Sequence, residues 1–292
     1  MILEGRTLAA KIREPLAQRA DAVRQKLGRP VRLHAYGCAD DYGAYVYLNK
    51  EIEAARKTGI DAQGFPVSAS LSAENFLKLI AADSANPDVD AILIARPLPE
   101  HLSQSGYERV LAPEKDIDGM SHVNMGNLFL CKTWDEVEKR PGFASCTAMA
   151  VIRLLEYHGI DPQGMEAAVI GRSFNVGRPL AHLLSCKNAT VKICHTKTRD
   201  LKASLHGMDL ICCAAGQPGL LTADMAAPGS VVVDIATNVT PEGNLCGDAD
   251  TAPLLQNGCS VSPVPGGVGP VTLACLLENI ILSGERKFKE TK

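Results

Sequence analysis

The chain has 292 residues, 46% of them hydrophobic, and a mean hydropathy of +0.01, which allows a sizeable core and enough length for two domains. Thirty basic against thirty-three acidic residues give a formal charge of −3, without the basic excess of a dedicated nucleic-acid binder, so small-molecule chemistry is expected and nucleic acid is not. No apolar run approaches the roughly 20 residues needed to cross a bilayer, and the opening MILEGRTLAAKIRE is amphipathic rather than signal-like, so a cytoplasmic protein without a membrane partner is expected.

In chain order, VRLHAYG (31–37) reads as a strand, YLNKEIEAARKTG (47–59) as a helix stopped by Gly59, SAENFLKLIAADS (72–84) as a second helix, and VDAILIA (89–95) as another strand. From Pro97 to Phe143 periodicity is weak and Pro, Gly and polar turns are frequent, so loop-built functional surface is expected there. The helical TAMAVIRLLEYHG (147–159) leads to four apolar runs, AAVIG (167–171), VKICH (191–195), MDLICCAAG (208–216) and VVVDIA (231–236). Buried strands at this spacing, each followed by a turn or helix, predict a doubly wound, Rossmann-like parallel sheet. SPVPGGVGP (262–270) precedes a last apolar helix, VTLACLLENIILSG, and a charged tail. The ten cysteines are scattered, apart from adjacent Cys212 and Cys213, show no CxxC spacing, and read as buried reduced thiols. The dispersed histidines, His195 and His206 included, give no metal-ligand spacing, and no GxSxG nucleophile elbow is present.

Gly171 and Gly177 bracket a strand-to-helix turn suited to a pyrophosphate, although Ser173 stands where the usual fingerprint has its second glycine. An NAD site commonly carries Asp or Glu about 20 residues further on; this chain has His195, Thr196, Lys197 and Arg199, with Arg172 beside the turn, which suits a 2′-phosphate and points to NADP, with NAD as the alternative.

Taken together, RPLPEHL (96–102), PEKDIDG (113–119), NMGNL (124–128), GRSFNVGRP (171–179), NATVKICHTKT (188–198) and SPVPGGVGP resemble, in order and spacing, the bifunctional methylenetetrahydrofolate dehydrogenase/cyclohydrolase family. The resemblance implies a discontinuous α/β catalytic domain, residues 1–145 and 270–292, completed by the C-terminal helix, around a Rossmann-like NAD(P)-binding domain, residues 146–269, with the site in the cleft. It also implies oxidation of 5,10-methylenetetrahydrofolate to the methenyl form, hydrolysis of that to 10-formyltetrahydrofolate, and a homodimer formed through the nucleotide domain. Carried over by motif, Asp118 hydrogen-bonds the pterin, Tyr47 flanks the folate rings, and Ala95, Arg96, Pro97 and Leu98 line the substrate site with Pro265, Gly266, Gly267 and Pro270. The dinucleotide falls to Gly171, Arg172, Ser173, Val176 and Gly177, then His195, Thr196, Ala215, Gly216, Ala236 and Thr237. Outside this context Asp118 would read as an Asp-Gly turn residue.

The family pattern places a tyrosine and, four residues later, the proton-handling lysine on one helical face. An ungapped count back from AARKTG (54–59) puts these at Tyr47 and Glu51. Counting forward from Gly37 selects Tyr45 instead, at the expense of extra residues inside the helix, two of which would rotate the remainder of the helix by about 200°. Lys50 points about 100° away from Glu51 in projection and could serve only in a differently wound helix. Ala95 stands at the usual glutamine, SCTA (145–148) replaces a string with two prolines, DGMSH (118–122) a DGFHP-like one, and DIATN (234–238) a DVGIN-like one. A carboxylate can stabilise a cationic methenyl group or act as a base, but does not replace a lysine as proton donor, so dehydrogenation with weak or absent hydrolysis is the first expectation. Two alternatives stay open: a folate- or nucleotide-binding paralogue in which Arg96 pairs with Glu51 and suppresses turnover, and an enzyme for another imine or one-carbon adduct. Glu51 in an alternating-charge helix also reads as a solvent-facing residue.

Overall fold

Residues 1–288 are described in a computed structural model, and they pack as two units. One comprises Lys11–Gly126, Pro141–Ala144 and residues 276–288; the other comprises Met1–Ala10, Asn127–Arg140 and Ser145–Cys275.

The first unit is built on a parallel sheet of β1 (Arg32–Cys38), β2 (Asp61–Val67) and β3 (Ala91–Ile94) in the order β2-β1-β3. All four residues of β3 are buried, as an unbroken apolar run predicts for a strand covered on both faces. Beyond β3 the KDIDG segment bridges in parallel at Ile92 and Asp116, and Ile92 N donates to Lys115 O at 2.7 Å, so Asp118 lies level with the carboxyl end of β3. β2 escapes the sequence reading because Gly64 and Pro66 interrupt it. As an edge strand it tolerates Pro66, and a Cβ on Gly64 would come within 2.6 Å of Ile52 Cδ1, so glycine lets the covering helix approach.

That helix spans Tyr42–Lys57 and starts five residues before the expected Tyr47, capped by the Asp41 side chain, which accepts from Ala44 N. Its buried residues are Leu48, Glu51, Ile52 and Ala55, one continuous stripe at helical spacing. The Ala73–Ala85 helix follows its Ser72 cap as expected. Between Pro97 and Phe143 the loop expectation is corrected: short helices cover Glu100–Ser103, His122–Leu130 and Trp134–Lys139, too brief to show a period.

The second unit carries a five-stranded parallel sheet of β4 (Glu166–Ile170), β5 (Thr190–Cys194), β6 (Leu210–Cys213), β7 (Val231–Asp234) and, after the short β8 (Asn238–Val239) and β9 (Leu245–Cys246) hairpin, β10 (Ser260–Val261). The order β10-β7-β6-β4-β5 makes the chain leave β4 for one neighbour and return across it to β6, so the switch point lies between β4 and β6. Met1–Leu3, expected with the first domain, extend this sheet instead: Ile2 bridges Val261, and Leu3 N donates to Val261 O at 2.9 Å.

The Val268–Arg286 helix is long and apolar enough to cross a membrane by length and composition, but over half of it is buried in protein, as befits a core helix. In the first unit Gly284 lets it close on Val23 and Val31, Arg19 binds Glu278 and Glu285, and Asn279 Nδ2 donates to Ile117 O at 2.8 Å, holding the residue before Asp118. Nine of the ten free cysteines are buried.

Asp90 is wholly buried and gathers Arg29, Arg32 N and Lys287, tying the start of β1 to the end of the chain's last helix. Asp90→Ala leaves those donors uncompensated, and because Arg29 and Lys287 retain some solvent the expected loss is about 2–3 kcal/mol. A denaturant titration checks it; a change below about 0.5 kcal/mol contradicts it.

Candidate functional site

Glu51 is turned inward by the stripe that carries it. Leu48, Ile52 and Ala55 must face the sheet, Gly37 sits under Leu48 with space for no Cβ, and Glu51 shares their side of the helix. It is 8% exposed, whereas Lys50 is exposed to solvent on another face. Tyr47, one turn earlier, is 47% exposed, and Tyr45 is also open to solvent. Among the described residues no hydrogen bond or ion pair reaches the Glu51 carboxyl. Desolvation first, and the nearby negative charge of Asp118 second, push its pKa up to about 8. At neutral pH Glu51 therefore holds its proton and is a neutral carboxylic acid, not the carboxylate expected from sequence.

The Arg96–Glu51 pair of the alternative reading does not form among the described residues. Arg96 Nη1 donates to Ser103 Oγ at 2.8 Å, Nη2 donates to Tyr107 OH at 2.9 Å, and Glu108 lies 3.9 Å away. The arginine thus follows its own loop, and Glu51 keeps its proton for want of a cation. Ala95 continues from β3, its N donating to Tyr36 O at 2.7 Å, Pro97 is exposed and Leu98 is buried. Arg96–Pro97 and Val264–Pro265 are cis peptides.

The sequence reading passed over Asp116, two residues before Asp118. It is 1% exposed, and its carboxyl accepts from Met120 N, Ser121 N and Asn124 Nδ2 at 2.9, 2.7 and 2.8 Å. With Gly119 at φ +67°, where a Cβ would strike the Ala144 backbone, Asp116 shapes the turn that presents Asp118.

In the second unit the Gly171–Gly177 turn joins β4 to the Gly177–Cys186 helix. Gly171 has φ +126° and a Cβ there would lie 2.3 Å from Ala214 O; one on Gly177 would lie 2.3 Å from Gly171 O. Ser173 closes the turn, its Oγ accepting from Gly177 N and its carbonyl from Arg178 N. Such a bare cradle at a helix start fits a pyrophosphate. Gly171 N donates to Cys194 O, which sets the turn after β5 alongside. There His195 Nδ1 accepts from Lys197 N and its backbone N donates to Thr198 Oγ1, leaving Thr196, Lys197 and Arg199 exposed beside exposed Arg172. Three cations at the neighbouring ends of β4 and β5 fit a 2′-phosphate. Val176 precedes the helix, half-buried.

Ala215 and Gly216 follow β6, Ala236 and Thr237 follow β7, and both segments converge on a residue the sequence reading missed, Asp248. It is wholly buried and accepts from Ala215 N, Gly216 N, Gln217 N and Asn238 Nδ2 at 2.8, 3.0, 2.7 and 3.0 Å. Its own N donates to Asp234, whose pKa burial pushes up to about 6. Pro265, Gly266, Gly267 and Pro270 lie past β10, where Gly5 N donates to Gly266 O and Gly267 N to Pro263 O. No group of three or more potential metal ligands occurs among the described residues.

Comparison with known proteins gives one answer along the whole chain. Residues 3–118 match the family model for the tetrahydrofolate dehydrogenase/cyclohydrolase catalytic domain and residues 145–288 the model for its NAD(P)-binding domain. The bifunctional protein FolD of Elusimicrobium minutum is 52% identical over 288 residues, covering 99% of this chain and all of that one. Among solved structures, the bifunctional FolD methylenetetrahydrofolate dehydrogenase/cyclohydrolase from Campylobacter jejuni is 34% identical with a TM-score of 0.89, covering 98% of this chain and 99% of its own. The Trypanosoma brucei methylenetetrahydrofolate dehydrogenase-cyclohydrolase, solved with NADP and an inhibitor, is 28% identical with a TM-score of 0.90, covering 99% and 98%.

Because folding raises the Glu51 pKa from 4.5 to about 8, the folded state binds this proton more tightly than the unfolded chain. The associated stability is complete below pH 4.5 and is lost as pH rises to about 8. Glu51→Gln keeps the neutral form at every pH, so it should match the parent at about pH 4 and exceed it at about pH 9 by up to a few kcal/mol, at about 1.4 kcal/mol per pKa unit. Thermal unfolding of both proteins across this range should show the gap opening; a gap that stays constant contradicts the assignment.

Proposed function

The chain belongs to the tetrahydrofolate dehydrogenase/cyclohydrolase family, and we propose that it oxidises 5,10-methylenetetrahydrofolate with NADP while hydrolysing the methenyl product weakly, because Glu51 stands where the family has its lysine. The observation that carries this reading is the burial of Glu51, 8% exposed and with no cation to face it, near the charge of Asp118. NADP, when bound, supplies the hydride acceptor. The protein's part in that step is orientation and charge: the folate is held against Asp118 and Tyr47, and the positive charge that develops between its two nitrogens meets Asp118 and the polar Glu51 carboxyl. No proton has to move, so a neutral acid at position 51 is no obstacle.

Hydrolysis makes a different demand. Water adding to the methenyl carbon must lose a proton, and the departing ring nitrogen must gain one. A carboxyl group with a pKa of about 8 is mostly protonated at pH 7 and is a base in only a small fraction of molecules. It can donate a proton as a lysine ammonium does, but carries no positive charge to polarise the attacking water. Bringing the cationic methenyl product beside it favours ionisation and so partly restores a base, which leaves hydrolysis slow at neutral pH and faster as pH rises towards 8.

The unit built on β1–β3 takes the folate and the unit built on β4–β7 and β10 takes the dinucleotide, with the 2′-phosphate facing Arg172, Lys197 and Arg199. The reading extends to a homodimer acting in the cytoplasm. Phe129 and Leu130, in the nucleotide unit and 76% and 77% exposed, are apolar surface that such a dimer would cover.

The test is a two-stage assay: NADP reduction with 5,10-methylenetetrahydrofolate, then decay of the methenyl product against its spontaneous rate. Reduction with decay accelerated less than tenfold at pH 7, and with hydrolysis raised at least tenfold by Glu51→Lys, is the expected result. Strong acceleration of decay by the parent protein contradicts the weak-hydrolysis reading, and absence of reduction contradicts the dehydrogenase reading.

A further inference from the structure

Three consecutive backbone N–H groups after β6, those of Ala215, Gly216 and Gln217, all point inward at the Asp248 carboxyl, and Asn238 Nδ2 adds a fourth donor from the segment after β7. No cation pairs with Asp248 among the described residues, so these N–H groups alone satisfy it. Asp248 is itself fixed from the other side. Its N donates to Asp234 Oδ1 at 3.0 Å, Ala249 N donates to Asp234 Oδ2 at 2.8 Å, and a Cβ on Gly247 would collide with the Asp234 carboxyl. The carboxyl is a clamp running from the end of β7 to the loop after β6.

The clamp dictates what that loop shows to solvent. A trans peptide points its carbonyl opposite to its N–H, so with the donors of Ala215, Gly216 and Gln217 turned inward the carbonyls of Ala214, Ala215 and Gly216 turn away from Asp248. Ala214 O indeed faces the glycine turn, 2.3 Å from where a Gly171 Cβ would sit, and Ala215, Gly216 and Gln217 are exposed. The β6 side of the switch point is therefore an edge of acceptors, which repels phosphate oxygens. The cations stand on the β4–β5 side, at Arg172, Lys197 and Arg199. A dinucleotide whose phosphates take that side must lay its other end along the acceptor edge and offer it hydrogens.

Resting on the NADP reading above, we propose that Asp248 is a positioning residue for the nicotinamide half of the cofactor: it aims the Ala215 and Gly216 carbonyls at the hydroxyl and carboxamide hydrogens of that half, without touching the cofactor itself. The part of the cofactor that ends at the 2′-phosphate does not depend on the clamp.

The two halves separate in a binding experiment on the whole protein. Asp248→Asn exchanges one acceptor oxygen for an N–H₂ that faces other donors, and should reorient the loop. Calorimetric titration should show NADP binding weakened at least tenfold while adenosine 2′,5′-bisphosphate binds within twofold of the parent; in turnover, the KM for NADP should rise with the KM for folate unchanged. Asn238→Ala, which removes one donor and leaves the carboxyl in place, should show the same selectivity at smaller amplitude, about threefold, and serves if the first variant does not fold. Equal weakening of both ligands, or unchanged NADP binding, overturns the clamp. A parent protein that binds neither ligand overturns the NADP reading and the proposal with it.

Discussion

A carboxyl group on the buried stripe of a helix, with no cation to face it, can stay there only by keeping its proton. Glu51 is in that position because Leu48, Ile52 and Ala55 commit this side of the helix to the sheet and because Gly37 and Gly64 allow the helix to lie close. Asp118 adds a negative charge and is itself held, through Asp116 on one side and Asn279 on the preceding residue. The packing that makes the core also sets the proton inventory around Glu51, and the proposed preference for the hydride step over the proton-moving step rests on that inventory.

The nucleotide unit buries a carboxyl group too and settles it differently. Asp248 has four N–H donors where Glu51 has none. Hydrogen bonding compensates the one and protonation the other. One arrangement orders two loops at the ends of β6 and β7; the other leaves a proton at hand. Arg96, the cation weighed from the sequence as a partner for Glu51, is held instead by Ser103, Tyr107 and Glu108.

Much of this was legible in the residues. Short apolar runs marked β1, β3 and β4–β7, and the Ser72 cap marked the helix it begins. Glu51 read as solvent-facing from its charged neighbours and was placed at the site only by the family resemblance; the buried stripe of Leu48, Glu51, Ile52 and Ala55 is what turns it inward. β2 stayed hidden because Gly64 and Pro66 interrupt its apolar pattern, and only its edge position explains them. Asp248 was hidden more deeply. In CGDAD it is indistinguishable from a turn aspartate, since its role depends on backbone donors more than thirty residues earlier. The absence of the Arg96–Glu51 pair lay out of reach for a similar reason, because local partners within twelve residues captured the guanidinium.

The protonation of Glu51 can be observed without substrate or turnover. Infrared difference spectra of the parent protein against Glu51→Gln, recorded from pH 6 to pH 10, isolate the carboxylic acid stretch of this one group. The account predicts an acid band at pH 7 that is absent from the variant and disappears with a midpoint near 8. No acid band at pH 7 would mean that Glu51 is an ordinary carboxylate, and the link from burial to a weakened hydrolytic step would fail.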